Sequence, residues 1–356
     1  MRILNRYIVR SVLQPTAMVL FLLVALRFLF SFLDELGDVG TAEYTAIKAL
    51  AYTLLSVPMW LGELLPMATL IGTVMGLGVL SSSSELTAMR AAAVSPTQVG
   101  MATIRAAVFL ILGGALLSEV IVPHTSSMAQ DLRLNAIAPN EAFRASGAGV
   151  WLRSTHDYVF FRHVLVDQTA DEVQIFSFSA PQQLSETYFA ERAQYQGDGK
   201  WRLLRGIHTR FDGEQVNTEP FDEVFWQSEL APEHLQVLQA RPAELSGAGL
   251  WSYSQYLVSN GLDASQYDLE FWRKVFQPLN LFAMMLAGIA SVFGPLRSVT
   301  VSARVLAGVA VGLSFHYLGQ IFGPVSLVYQ LPPVLGALLP PAVFLTGALW
   351  LLRRAR

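Results

Sequence analysis

Six apolar runs constrain this chain more than any other feature. They cover residues 12–33, 51–80, 97–122, 276–293, 305–322 and 334–352. A helix crosses a bilayer with roughly 20 predominantly apolar residues. Inside hydrocarbon each backbone polar group needs a partner within its own segment, so unbroken apolar runs of this length are read as helices. The fourth run is short and needs Phe271 and Trp272 as interfacial aromatics to reach full length. The second is long. Counted from Thr45 to Leu80, at about 1.5 Å per residue, it exceeds the roughly 30 Å apolar core. Kinks at Pro58 and Pro66 and a protruding end are expected.

Composition agrees, with 53% hydrophobic and 14% charged residues against roughly 25% charged in soluble domains. The net charge of −3 does not bear on nucleic acid, and no basic tract suggests it as a partner. The absence of Cys excludes disulfides and thiolate chemistry. The basic start MRILNRYIVR leads into a long run without a small-residue cleavage site, which reads as a retained first span.

Orientation follows from the cations. Arg2, Arg6 and Arg10 precede the first run, Arg90 lies between the second and third, Arg297 and Arg304 between the fourth and fifth, and Arg353, Arg354 and Arg356 after the sixth. The short loops 34–44 and 323–333 contain no Lys or Arg. By the positive-inside rule both termini and the loop 80–96 are cytoplasmic.

Residues 123–270 separate the third and fourth runs and belong on the opposite side. Segments 149–167, 172–179, 186–196 and 201–211 alternate with period two, and Asp198-Gly199 is a hairpin turn signal. A β-sandwich or jelly roll is expected. Residues 252–276 look helical, with a break at Gly261. The fold class is therefore an α-helical membrane protein with six transmembrane helices and a β-jellyroll inserted between helices 3 and 4. The domains are 1–122 (helices 1–3), 123–270 (β-domain) and 271–356 (helices 4–6).

Enzymatic signatures are missing. There is no G-x-x-x-x-G-K-[ST] phosphate loop and no G-x-S-x-G elbow, and the six His (124, 156, 163, 208, 234, 316) lack metal-ligand spacing. We expect no catalytic and no metal site. Glu63 and His316 sit inside or near apolar runs, where an ionisable group defaults to a functional reading. The plainer alternative is a His bonded within the bundle and a Glu facing a polar cavity or the edge of the span.

The loop LSSSSELTAMRAAAVSP (80–96) is polar and patterned. Ser82 and Glu85 fit a capping box that opens a helix over about 82–94. Ser95-Pro96 ends it and caps the next. Glu85, Met89 and Ala92 share one face, and Leu86, Arg90 and Ala93 a neighbouring one. This helix is either a handle for another protein or a connector on the membrane surface.

The stretches YTLLSVP (52–58), SELTAMRAAAVSP (84–96), KVFQPLN (274–280), FGPLRSV (293–299) and QIFGPVSLVYQLPPVLGALLP (320–340) resemble the LptF/LptG family of lipopolysaccharide export permeases, its LptG branch more than its LptF branch. The resemblance implies six spans with a periplasmic β-jellyroll in the inner membrane. It implies an LptF-like sister permease, two copies of a cytoplasmic LptB-like ATPase, a membrane-anchored LptC-like protein and an LptA-like periplasmic bridge. Lipopolysaccharide would be the cargo. This chain would bind no cofactor; ATP and Mg would sit on the ATPase. Glu85 matches the family's coupling Glu, with Leu86, Met89 and Arg90 beside it.

One departure from the family pattern concerns charge. The end of the first span reads FSFLDELGDVGTAE, acidic where relatives are basic. Arg27 and Arg133, then Lys48 and Arg144, are the lipid-contact candidates, and the acidic cluster is expected to bridge to lipid through divalent cations or to leave the cations to the sister permease. The lipid gate is expected between span one of one permease and span five of the other, where Gly308-x-x-x-Gly312 permits close approach. Two other classes compete: a membrane-anchored scaffold whose β-domain binds a partner, and an ion-coupled secondary transporter using Glu63 or His316.

Overall fold

A computed structural model describes residues 2–137, 150–154, 157–164, 169–180, 183–212, 215–228, 230, 242–293 and 300–354. The helices are α1 (Arg2–Leu36), α2 (Ala46–Ser82), α3 (Glu85–Ala91), α4 (Pro96–Leu116), α5 (Val122–Ile137), α6 (Gly247–Ser259), α7 (Ser265–Val275), α8 (Gln277–Phe293), α9 (Val301–Val328) and α10 (Pro333–Arg354). A π-helical segment, Leu117–Ile121, joins α4 to α5 without a break. Among the described residues five helices are long and apolar enough to cross a membrane. The pair α7–α8 passes the same test together but is bent by 50°. Pro278 sits in the first turn of α8, where a missing N–H is tolerated, and the chain turns just before it.

Helix α2 is the centre of the bundle. It contains Pro58 and Pro66 yet runs unbroken for 37 residues. Glycine sets how closely its neighbours pack. A Cβ on Gly72 would stand 2.2 Å from Thr16 Oγ1, and one on Gly76 would stand 2.2 Å from the Ser11 carbonyl oxygen, so α1 lies directly on these two residues. On the other side a Cβ at Gly288 of α8 would meet Thr73 at 2.8 Å. Buried Thr53, Thr69 and Thr73 donate to carbonyls one turn back, which satisfies their hydroxyls without another helix.

At one end of the bundle Ile8, Val12, Leu80, Leu86, Val99 and Val292 form a single buried cluster, with Leu352 packed against it. The two chain ends and α3 therefore share that end, as the alternation of cations requires. At the other end Tyr44, Ala49 and Ala136 are buried together, and the β-domain follows.

The β-domain consists of β1 (Val150–Ser154), β2 (Asp157–Val164), β3 (Thr169–Ala180), β4 (Gln183–Tyr195), β5 (Lys200–Asp212) and β6 (Gln215–Gln227). They pair antiparallel in sequence order, as one six-stranded sheet. A jelly roll needs crossovers between two sheets; among the described residues the strands form a meander instead. The sheet folds over on itself. Ser154 Oγ lies 2.9 Å from Ser228 Oγ, and Trp226 Nε1 donates to Asp157 at 2.9 Å, so the first hairpin touches the end of the last strand. Inside lie Val159, Phe161, Ile175, Trp201 and Leu203, with Tyr253, Tyr256 and Leu257 of α6 closing the core.

The fold-over has a crease. Ala170 and Val173 on β3 are both buried, as are Ala190 and Ala193 on β4, although each pair is three residues apart. Strict alternation would expose one of each. The ladder skips the row Arg162, Glu172, Glu191, Arg205 and Asp222, and φ is +51° at Glu172 and +48° at Arg205. Such irregularities bend a strand and turn its faces over. Ion pairs Arg162–Glu172 and Arg205–Glu191 run along the row. Beside it, a Cβ on Gly206 would stand 2.0 Å from the Phe189 carbonyl oxygen.

Candidate functional site

The loop between α2 and α4 folds differently from its capping signal. Ser82 and Ser83 donate to the Val79 carbonyl at 2.9 and 3.0 Å. Helix α2 runs on through Ser82, with the Ser83 backbone N–H bonded to the same Val79 carbonyl at 3.0 Å. The chain then reverses at Ser84, whose φ is +60° and whose side chain makes no cap bond. The Ser82–Glu85 capping box is therefore not formed, and α3 has seven residues rather than spanning 82–94. The box is found at α4, where Ser95 and Gln98 satisfy each other's backbone N–H with Pro96 at the first helical position.

Freed from capping, the Glu85 carboxylate accepts from the Tyr7 hydroxyl of α1 at 2.7 Å and shares the single Ser83 hydroxyl hydrogen, at 2.9 Å, with the Val79 carbonyl. Leu86 is buried against α1 and α2, and Met89 packs on the same cluster. These two anchor the helix. Its open surface is Thr87, Ala88, Arg90 and Ala91. The Arg90 guanidinium lies over the Phe293 ring at 5.9 Å.

At the opposite end the acidic stretch after α1 is neutralised from within the chain. Arg133 reaches Asp38 at 2.6 Å and Glu35 at 3.2 Å and lies over the Tyr52 ring at 5.7 Å. Tyr44 donates to Glu35 at 2.7 Å. Burial, then that carboxylate, push the Tyr44 hydroxyl well above its ordinary pKa, so it remains a donor. Lys48 pairs with Glu43 at 3.5 Å. Of the four lipid-contact candidates, Arg133 and Lys48 are thus engaged with carboxylates of this chain, and Arg144 lies outside the described residues.

Arg27 is placed differently. It lines a cavity of about 460 Å³ together with Glu63, Arg273, Lys274, His316 and Gln320, and its guanidinium sits 5.8 Å from the Trp60 ring centre. Among the described residues it forms no ion pair. Glu63 and His316 face the same cavity 3.9 Å apart, with Gln320 at 2.9 Å from His316. Arg273 pairs with Glu270 at 2.6 Å and donates to the Gly319 carbonyl at 2.9 Å. Lys274 donates to the backbone and hydroxyl oxygens of Ser118, each at 2.9 Å, and lies 3.6 Å from Glu119 in the π segment. Glu119 in turn accepts from the Gly247 N–H of α6 at 2.8 Å. A chain of polar contacts thus joins the cavity to the base of the β-domain.

Tyr7, Glu119, Arg273, Lys274 and Gln320 were missed as site residues. The signal for Arg273 and Lys274 was present, since two cations beside an apolar run are costly unless they meet partners or a cavity. Gly308 and Gly312 lie on α9. A Cβ on Gly308 would make ordinary contact with Val74 at 3.7 Å, and one on Gly312 would meet Met67 at 2.9 Å. Both face α2 of the same chain. Gly72-x-x-x-Gly76 makes a closer approach, to the backbone of α1.

The family model for the lipopolysaccharide export system permease LptF/LptG matches residues 6–354. The LptG protein of Escherichia coli K12 is 36% identical over 354 residues, 99% of this chain and 98% of that protein. The LptG protein of Haemophilus influenzae is 34% identical over 99% of both chains. The LptF protein of Escherichia coli K12 is 29% identical over 157 residues, 43% of this chain and 42% of that protein. With the helical bundle, the inserted β-domain and a match along nearly its whole length, the chain belongs to the LptF/LptG family of lipopolysaccharide export permeases.

Proposed function

We propose that this chain is a permease subunit of a lipopolysaccharide exporter in the inner membrane, paired with an LptF-like sister. One observation carries the reading. The LptG relatives align over 99% of the chain, so they take in the bundle, α3 and the β-domain together. In this reading the bent pair α7–α8 is the fourth of six crossings. Both termini and α3 are cytoplasmic, and the β-domain is periplasmic. An LptB-like ATPase dimer docks on the open face of α3 and holds ATP and Mg. An LptC-like protein and an LptA-like bridge receive the lipid.

The geometry supports a mechanical role for α3. Leu86 fixes it to the bundle and Glu85 ties it to α1 through Tyr7. Helix α1 has no slack against α2 at Gly72 and Gly76. A push on α3 during nucleotide-driven closure is transmitted to α1 and narrows the cavity. Arg27, Arg273 and Lys274 at the cavity suit the phosphates of the lipid.

Purification of the chain from its native membrane in mild detergent, beside a Glu85→Lys variant, tests the reading. Wild type should bring down a sister permease and a soluble ATPase, and the variant should lose the ATPase or its stimulated hydrolysis. Recovery of neither partner would refute it. The Glu63–His316 pair favours one second reading, proton coupling. Export that follows a pH gradient without nucleotide would establish that reading instead.

A further inference from the structure

Helix α6 carries no charged residue; Gly247–Ser259 reads GAGLWSYSQYLVS. Leu250, Tyr253, Tyr256 and Leu257 account for one side, where they are buried. Trp251 and Val258 lie on another side. They are seven residues apart, about two turns, so they stand on one line of the helix, and they are 51% and 59% exposed. Gln255 lies between them and is also exposed. This outer surface offers hydroxyls, one amide and the Trp251 indole N–H, and no charge.

Three contacts place α6 beside the spanning helices. Its first N–H is held by Glu119, inside the apolar helix Gln98–Arg133. Ser254 donates to Asp268 of α7 at 2.5 Å. The Trp251 ring packs on Phe271 at 5.4 Å. From Phe271 the aromatic run continues to Trp272 at 5.5 Å and on to Phe276 at 5.7 Å, where α8 begins. The exposed side of α6 is thus continuous with the surface that enters the bilayer.

We propose that α6 is an interfacial helix. Trp251 and Val258 rest in the headgroup region of the bilayer that the chain spans, and they hold the base of the β-domain against it. Tryptophan favours that level because its ring is apolar and its N–H is not. An amphipathic face of this kind sits roughly 5–10 Å into the boundary. Since α6 has no charge, its attachment depends on apolar area and not on lipid charge or salt. The proposal rests on the membrane-spanning reading alone and is independent of any ATPase.

The chain has no Cys, so single spin labels report cleanly. The full chain is placed in phosphatidylcholine vesicles, with and without phosphatidylglycerol. Labels are introduced as Val258→Cys and Gln255→Cys, with Trp251→Cys as a third site. Thr218→Cys on exposed β6 is the aqueous reference and Phe21→Cys, 75% exposed on α1, the lipid reference. Collisions with oxygen and with a water-soluble nickel chelate are compared. The ratio of oxygen to nickel access at 255 and 258 should be about fivefold or more above that at 218, and it should be unchanged by phosphatidylglycerol or salt. A ratio equal to that at 218 would overturn the proposal, because the face would be in water. Low access to both reagents would also overturn it, because protein would cover the face. A ratio that rises only with phosphatidylglycerol would overturn the uncharged mechanism. If the label at 21 fails to report lipid, it is the membrane-spanning reading that fails. Gln255→Cys keeps the Trp251–Phe271 contact, so its result does not depend on that ring.

Discussion

Replacing Gly76 with alanine tests the packing on which any transmission through α1 depends. The new Cβ would stand 2.2 Å from the Ser11 carbonyl oxygen and 3.1 Å from Val12 Cα, where ordinary contact begins near 3.4 Å. The obstacle is the backbone of α1 and not the end of a flexible side chain, so one helix must withdraw by about 1 Å. Overpacking of this kind costs about 1–3 kcal/mol. For a chain of this size we expect the melting midpoint to fall by about 1.3–4 °C. Gly72→Ala meets Thr16 Cα at 2.4 Å and should behave alike. The comparison is internal. Gly100→Ala meets nothing within 4 Å, and Gly308→Ala meets Val74 at 3.7 Å. Both should melt within about 1 °C of wild type or slightly above it, since alanine is the better helix former. Intrinsic fluorescence melts of the full chain in one detergent would decide. If Gly76→Ala melts with wild type, or Gly308→Ala falls as far as Gly76→Ala, the assignment of the close approach to α1–α2 is wrong.

Three further outcomes follow from the polar contacts. Tyr7→Phe removes an exposed hydrogen bond of about 1 kcal/mol or less, so stability should hold while lipid exported per ATP falls; in the Tyr7→Phe, Glu85→Gln double variant the loss should not exceed that of Glu85→Gln, and additive losses would show that Tyr7 does not act through Glu85. Arg133→Gln leaves Glu35 and Asp38 without their cation, so amide exchange in residues 34–45 should speed up, with Arg133→Lys restoring part of the protection; unchanged exchange would mean that the pair holds nothing. In the β-domain the Tyr188 hydroxyl, followed by Arg210 and His208, holds the Glu186 carboxylate below its ordinary value of 4.5. Burial and the same bond push Tyr188 up to about 12. A depressed carboxylate contributes stability that is complete above its unfolded pKa and is lost as pH falls through the folded one. Exchange protection of β4 and β5 should therefore fall as pH drops below 4.5, and Glu186→Gln should flatten that fall.

The sequence made the spans legible because hydrocarbon leaves the backbone one option and the cations alternate without exception. It also showed the helical break at Gly261, whose φ is +68°, and the strands from β3 to β5. Strand β6 was missed because Pro220 and three acidic residues sit in it, which an edge strand tolerates and a pattern search does not. The meander was hidden for another reason. The crease inverts inward and outward sides between Ala190 and Ala193, so no single alternation runs through a whole strand. At α3, the capping box depended on which serine ends α2, and that is settled by carbonyls one turn earlier. The pairing of Arg133 was not legible, because residues 95 and 98 positions away supply its carboxylates.

The π segment at Leu117–Ile121 gives the third spanning helix one residue more than an α-helix would hold in the same length. Its two halves are therefore out of phase, with the surplus absorbed where Glu119 meets Gly247. Were that turn to relax into α-geometry, everything beyond Ile121 would advance by one residue and rotate by about 100°. Arg133 would leave Glu35 and Asp38, and α5 would present a different side to the loop that closes over it. The helix is thus indexed rather than elastic: its half nearest the β-domain holds a discrete angular setting relative to its membrane half, at the turn where Glu119 meets α6.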